Sequence, residues 1–460
     1  MGLSLASRKI RHPMSERFGG VVLALCLSLP AIAAAEPGDF PKPSGIVPAV
    51  EFWKKVFAEY SENQVVIHDD AYLDKIYTVI DVRPLAASGA DDETVRRERH
   101  RRQKQELNRI DATLARLARG GFSPDDLDEQ ERAIWEMFRD VDGSRKFTQA
   151  RERVRAQQGV RERFQRGLEI SRRYLPAMED IFRREGLPVE LTRLPFVESS
   201  FNIHAYSKVG AAGIWQFIPS SARIYLRLNA VEDSRRDPLY ATLGAARHLR
   251  DDYDALGTWP LAITAYNHGR AGVARAVHKL DTTDIVKIID DYDGKAFGFA
   301  SRNFYAEFLA ALEIERDYKE HFGDVKFEPR LQYQEVKTQD YLRFSTVAKL
   351  AGCTPEELRE LNPGFTNEVF EGKLYVPKSY TVRIPAGQAQ QFHSAYANLD
   401  ADERFSQQRR AFIAHRVTRG QTIGSIAKRY RTTVAAIQVA NGLRDSKRLR
   451  AGQVLKIPTG

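Results

Sequence analysis

Leu191-Thr192-Arg193-Leu194-Pro195-Phe196-Val197-Glu198-Ser199-Ser200-Phe201-Asn202 sets one carboxyl at the end of an apolar run. Leu191, Leu194 and Val197 recur at helical spacing and predict a helix with one face on a core, which Phe201 extends. Glu198 follows Phe196-Val197 directly, so the reading places its carboxyl partly out of water, where burial disfavours the charged form and raises the pKa. A carboxylic acid that stays protonated near neutral pH can act as a general acid, a role worth about 10²- to 10⁴-fold in rate. The plain alternative is a solvated or salt-bridged Glu at a helix terminus, and the choice turns on the neighbours.

Downstream, Ser207-Lys208-Val209-Gly210-Ala211-Ala212-Gly213 is a small-residue loop that lets backbone approach a ligand closely. It runs into Ile214-Trp215-Gln216-Phe217-Ile218-Pro219, where Trp215 can stack on a sugar face and Gln216 can hydrogen-bond hydroxyl or acetamido groups. Ala265-Tyr266-Asn267-His268-Gly269 adds a phenol and an amide beside a glycine break. Taken singly, Trp215 reads as core and Tyr266 as a satisfied half-buried aromatic. In this order and spacing the pieces resemble the soluble lytic transglycosylase (SLT) domain, a mainly helical, goose-type-lysozyme-like fold. The E-S pair is Glu198-Ser199, the G-L-M-Q-like tetrad Gly213-Ile214-Trp215-Gln216, the A-Y-N triad Ala265-Tyr266-Asn267, and Ser207 matches a serine nine residues after the glutamate.

The resemblance implies that Glu198 is the catalytic acid/base and that Tyr266 orients it. It further implies a substrate-binding set of Ser199, Ser207, Gly213, Trp215, Gln216, Tyr266 and Asn267, with Ser207 and Gln216 on the N-acetylmuramyl residue. Ile-Trp in place of Leu-Met in the tetrad resembles the transglycosylase D subgroup. In Ser301-Arg302-Asn303-Phe304-Tyr305 the family's tyrosine is replaced by Phe304, which leaves Tyr305 as the neighbouring hydroxyl. Most glycosidases use two carboxylates. N-acetylmuramic acid can do with one, because its C6 hydroxyl can attack the anomeric carbon and its acetamido group can assist. The implied reaction is non-hydrolytic endo- or exo-cleavage of the MurNAc-β-1,4-GlcNAc bond to 1,6-anhydroMurNAc ends, a glycosidic-bond lyase reaction. The alternatives are a non-catalytic peptidoglycan-binding scaffold and a hydrolytic muramidase. Asp233 and Asp237 are the nearest acidic candidates for a second carboxylate, and their turn-like string Asp233-Ser234-Arg235-Arg236-Asp237-Pro238 predicts caps and salt bridges. No histidine spacing suggests a metal, His248 and His268 read as partly buried polar residues, and no cofactor is required.

Beyond residue 323 the composition changes to strand–helix–helix–strand. His415–Pro458 resembles a LysM domain, a βααβ module that binds N-acetylglucosamine-containing chains. The matching pieces include Val417, Gly420-Gln421-Thr422-Ile423, Tyr430, Ile437 and Asn441-Gly442-Leu443. The expected glycan contacts are Gly420, Thr422, Ile423, Asn441 and Leu443. Residues 331–385 resemble the same module without its first glycine motif, so that glycan binding and a spacer role both stand.

Upstream, Arg8, Lys9, Arg11 and Arg17 precede the apolar run Val21–Leu29 and an A-x-A site at Ala33-Ala34-Ala35, the pattern of an export signal. Lipidation at Cys26 is disfavoured by Leu25 in front of it, and cleavage after Ala35 leaves Cys353 alone, too few for an internal disulfide. The run Arg96-Arg97-Glu98-Arg99-His100-Arg101-Arg102 continues an amphipathic helix and reads as its solvated face.

Four hundred and sixty residues exceed one ordinary core. The expected division is 1–35 signal peptide, 36–186 N-terminal helical region, 187–325 catalytic domain, 326–390 degenerate LysM-like module, 391–412 linker and 413–460 LysM module. The fold class is therefore mainly α: a helical lysozyme-like domain, an N-terminal helical extension and small C-terminal βααβ modules. A charge of +9 spread along the chain suits a polyanionic wall and lacks the concentrated patch of a nucleic-acid binder. The expected partner is peptidoglycan glycan strands, not nucleic acid. The expected setting is a monomer in the periplasm or cell envelope, with at most peripheral contact with the membrane.

Overall fold

The computed structural model describes residues 40–409, 412–443 and 449–458. The leader, its Cys26 and the cleavage site lie outside them. Among the described residues no helix is long and apolar enough to cross a membrane.

Helices dominate, and the strands form three small antiparallel sheets. The basic run lies in the Asp92–Arg119 helix, which Asp91 caps and Gly120 ends. Three of the run's five arginines are paired within the helix, Arg96 with Glu93 at 2.8 Å and both Arg101 and Arg102 with Glu98 at 2.6 and 2.7 Å, as a solvated face predicts.

The N-terminal region departs from the helical expectation. Strand β1 (Gln64–Asp69) is the centre of a sheet with β2 (Ile76–Asp81) on one side and β3 (Val154–Gln158) on the other. All six residues of β1 are buried, Val65 and Ile67 in a core with the Asp92–Arg119 helix and Val66 in the core of the catalytic domain. A strand covered on both faces shows no hydrophobic–polar alternation, which is why periodicity did not reveal it.

The main core also ignores a division at residue 186. The Val47–Ala58 helix packs on the Phe299–Arg316 helix, where Trp53 Nε1 donates to Asn303 Oδ1 at 3.0 Å. The Arg161–Arg184 helix packs on the Pro238–Leu256 helix. Residues from both sides of position 186 thus share one cluster, from Val50 and Trp53 to Phe308 and Ile314.

The two C-terminal modules repeat one plan. β4 (Tyr333–Lys337) pairs with β5 (Thr381–Pro385), and β6 (Phe412–Arg416) with β7 (Val454–Pro458), each pair enclosing short helices. Thr354 forms a capping box with Glu357. The segment expected as a linker is largely structured: the Ala389–Ala397 helix buries Phe392 and Tyr396 in the first module's core, and Phe405 bridges to Tyr341. Those aromatics carried the signal, spaced four apart for one helical face.

Candidate active site

Glu198 sits in the last turn of the short Leu194–Ser199 helix, which Pro195 starts. The chain leaves that helix through two consecutive left-handed residues, Ser200 (φ 51°) and Phe201 (φ 55°). Each costs roughly 1–2 kcal/mol for an L-residue. Complete burial of Phe201 against Phe196 offsets the strain. A Cβ at Gly167 would lie 2.7 Å from the Ser200 carbonyl oxygen, so only glycine lets the Arg161–Arg184 helix pass this close beneath the turn.

Withdrawal from water pushes the Glu198 carboxyl up to about 8, so at neutral pH it is mostly an acid. Tyr266 stands beside it: burial first, then the Glu198 charge, raise its phenol well above the ordinary value. The Tyr266 hydroxyl donates to the Trp215 carbonyl oxygen at 2.9 Å, which fixes the ring. Between these groups runs the 207–217 loop. Ser207 N donates to the Ala211 carbonyl at 2.9 Å, and the Ser207 Oγ accepts from Ala211 N at the same distance. Gln216, itself left-handed at φ 46°, donates its amide N–H to the Gly213 carbonyl at 2.8 Å. A Cβ on Gly213 would fall 1.8 Å from the Arg235 carbonyl oxygen, which makes glycine obligatory there.

Glu198 and Tyr266 thus stand together, and Gln216 follows Trp215, whose carbonyl holds the Tyr266 ring, while Ser207 lies in the same 207–217 loop. Trp215 does not reach a sugar. Its ring is 0% exposed, stacked on Phe182 at 5.9 Å, and its Nε1 donates to Thr242 Oγ1 at 2.9 Å. The apolar seat formed by Phe182 and Tyr266 takes the ring inward, and only the Trp215 carbonyl serves the site. The Ser199 hydroxyl bonds the Ile214 carbonyl at 3.0 Å, joining the Glu198 helix to the loop. Asn267 is exposed and accepts from Ser301. Tyr305 does not stand in for the missing hydroxyl: fully buried, it donates to the Pro41 carbonyl at 2.8 Å.

Asp233 and Asp237 are caps and ion-pair partners, as expected. Asp237 caps the Pro238–Leu256 helix and pairs with Arg383, and Asp233 holds Arg235 at 2.8 Å. His248 is partly buried between Tyr225 and Tyr266, with its pKa pushed down to about 4 by burial.

Two groups escaped the sequence reading. The Arg235 guanidinium donates to the Gly210 and Phe217 carbonyls at 2.7 and 3.2 Å, clamping the ends of the active loop. Glu307 brings a second carboxyl near Glu198; burial, then the Glu198 charge, push it up to about 8. The second carboxyl thus comes from the Phe299–Arg316 helix and not from the 233–238 turn. Glu307 is the lone charged residue between Asn303 and Leu312, a signal that could have marked it.

In the C-terminal module, Gly420 and Thr422 are exposed, with the Thr422 hydroxyl capping the Ile423–Arg429 helix. Ile423 is 3% exposed and belongs to the module's core, so it is not a glycan contact. Asn441 spends its amide on the Ile437 and Lys456 carbonyls and on Lys456 N, latching β7. Leu443 packs half-buried on the same core, and the loop after it lies outside the described residues.

Residues 179–289 match the transglycosylase SLT domain family, 332–401 the LysM-like domain of lytic transglycosylase MltD, and 415–458 the LysM domain. The membrane-bound lytic murein transglycosylase D of two Escherichia coli strains is 29% identical over 288 residues, 60% of this chain and 62% of that protein's own length. Among solved structures, the 70 kDa soluble lytic transglycosylase of Escherichia coli matches with 21% identity and a TM-score of 0.26, covering 32% of this chain and 25% of that one. Residues 179–289 of this chain are thus similar to the SLT transglycosylase domain, and the segments after them to the LysM-like domain of transglycosylase MltD and to the LysM domain.

Proposed function

We propose that this chain is an exported lytic transglycosylase that cleaves peptidoglycan between MurNAc and GlcNAc, with Glu198 as acid and then base. The observation that carries the reading is the Glu198 carboxyl, held protonated by burial inside the SLT motif and beside the fixed Tyr266. Glu198 gives its proton to the GlcNAc O4 as the bond to the MurNAc C1 breaks, with the acetamido oxygen assisting. The resulting carboxylate then takes the C6 hydroxyl proton as O6 bonds to C1. The product is a 1,6-anhydromuramyl end, the proton returns to Glu198, and no water is consumed. Ser207 and Gln216 are the residues proposed to hold the muramyl unit. The LysM domain is proposed to hold glycan strands nearby and raise their local concentration at the cleft. Export to the periplasm or envelope rests on the basic-apolar leader.

Glu307 favours a second reading, a hydrolytic muramidase, because it supplies the other carboxyl that most glycosidases need. Burial favours the neutral form of Glu307, however, and a neutral carboxyl does not draw a proton from water. The non-hydrolytic route is therefore the preferred one.

The test is digestion of purified peptidoglycan with the wild type and with Glu198→Gln, read by mass spectrometry. Anhydromuramyl ends from the wild type alone are expected, with turnover falling as pH rises through about 8. Reducing ends would replace the mechanism by hydrolysis, and no product with sacculus binding intact would favour a scaffold. A readout independent of turnover is stability. A carboxyl raised from 4.5 to about 8 contributes fully below 4.5 and loses its contribution as pH climbs through 8. Glu198→Gln should therefore raise the thermal midpoint increasingly across that window.

A further inference from the structure

We propose that the cleft between the SLT domain and the LysM-like domain binds the peptide stem of the strand being cleaved. This rests on the reading of the chain as a peptidoglycan enzyme and adds a site for the non-carbohydrate part of the substrate. The cleft is a cavity of about 700 Å³, within the roughly 300–1,000 Å³ range of small-ligand sites. One wall is the segment from Ile203 to Tyr206, which joins the Glu198 helix to Ser207. The facing wall comes from the LysM-like domain, with Arg359, Glu360, Phe365 and Phe370.

The two walls are joined firmly below the opening. Asp233 N donates to the Gly364 carbonyl at 2.8 Å, Thr366 N to the Val231 carbonyl at 2.9 Å, and Glu232 bridges Phe365. Arg383 and Asp237 add a buried ion pair at 2.6 Å. The cavity is therefore preformed, and a ligand need not pay for bringing its walls together.

Its charge is mixed. Arg173, Arg236 and Arg359 face it together with Glu328, Glu356 and Glu360. Arg173 reaches Glu328 and Glu360 only at 3.8 and 3.5 Å, long contacts that a ligand's own charges can replace. Arg359 lies 4.4 Å over the Phe370 ring, held by an aromatic face. Uncharged glycan would make little use of six ionised groups, and a purely anionic polymer would meet three carboxylates. A stem peptide carries both signs, several carboxylates and the ammonium of its diamino acid, as the lining does. It is also joined to the muramyl lactyl group, so a sugar held at Ser207 delivers its stem beside Tyr206, 64% exposed at the cavity edge.

The experiment titrates a free stem tetrapeptide into full-length Glu198→Gln protein by calorimetry, and repeats it with Arg359→Ala and with Glu360→Gln added. Binding of the tetrapeptide, weakened about tenfold or more by Arg359→Ala and less by Glu360→Gln, is expected. In the active protein the Arg359→Ala change should lower the ratio of turnover on peptide-bearing to peptide-stripped strands. Arg359 is exposed, so an unchanged thermal midpoint checks that the variant folds. No tetrapeptide binding, or equal affinity in the variants, overturns the site even where the wild type cleaves peptidoglycan. Binding without any cleavage keeps the site and removes the proposed activity.

Discussion

The two C-terminal modules share a plan down to single bonds, and they differ in what one arm of the sheet touches. In the first, Asn362 bonds the Leu358 and Arg383 carbonyls and Arg383 N; in the second, Asn441 does the same with Ile437 and Lys456. The latched residues, Arg383 and Lys456, thus occupy equivalent positions, each over the ring that begins the partner strand, Tyr333 at 5.5 Å and Phe412 at 6.0 Å. Arg383 is 4% exposed and forked onto Asp237 of the SLT domain by bonds of 2.6 and 3.0 Å, while Lys456 is exposed. The same scaffold has become a fixed part of the catalytic body in one case and has kept an open sheet face in the other. A bidentate guanidinium suits a buried carboxylate better than a strongly hydrated ammonium does.

The largest test of this contrast is Arg383→Ala. Stranding Asp237 without its partner should cost about 3–5 kcal/mol and lower the thermal midpoint of the main transition. A loss as small as that of a surface residue would show that the ion pair is not what joins the two bodies. Next come Asn362→Ala and Asn441→Ala, each leaving backbone groups unpaired at about 1–3 kcal/mol. Hydrogen exchange should show the first loosening the SLT interface around 230–237 and the second loosening only residues 412–458. Removing residues 410–460 should leave the main unfolding midpoint in place while weakening sacculus binding; loss of the main transition would break the contrast outright. Lys456→Ala is the smallest, within about 0.5 kcal/mol, and a larger effect would reveal a contact that the exposed side chain does not show.

What sequence could and could not supply follows the range of the interactions. Glu198, Ser207, Gln216 and Tyr266 were legible as candidates because short motifs carry them, and the structure sets Tyr266 beside Glu198. Trp215 and Ile423 were misread as ligand contacts because an aromatic or aliphatic residue beside a binding motif looks the same whether it turns inward or outward. Glu307 lies far along the chain in an apolar helix, and its nearness to Glu198 is created by tertiary packing. The same holds for β1, whose two covered faces belong to different cores, and for Arg235, whose bonds to the Gly210 and Phe217 carbonyls have no signature of their own.

The Val47–Ala58 helix carries a consequence for how the chain must be made. Trp53 and Asn303, which bond across the core, are separated by 250 residues, and Tyr305 reaches back 264 residues to Pro41. Contacts of that span close late, because the loop entropy must be overcome before they form. During synthesis the apolar face of Phe52, Trp53, Val56 and Phe57 therefore emerges long before the Phe299–Arg316 helix that packs on it. Phe57 stacks on Phe164 and Phe52 meets His68 earlier in the chain, but a chain cut short before residue 299 would leave Trp53 without its Phe299 and Asn303 partners.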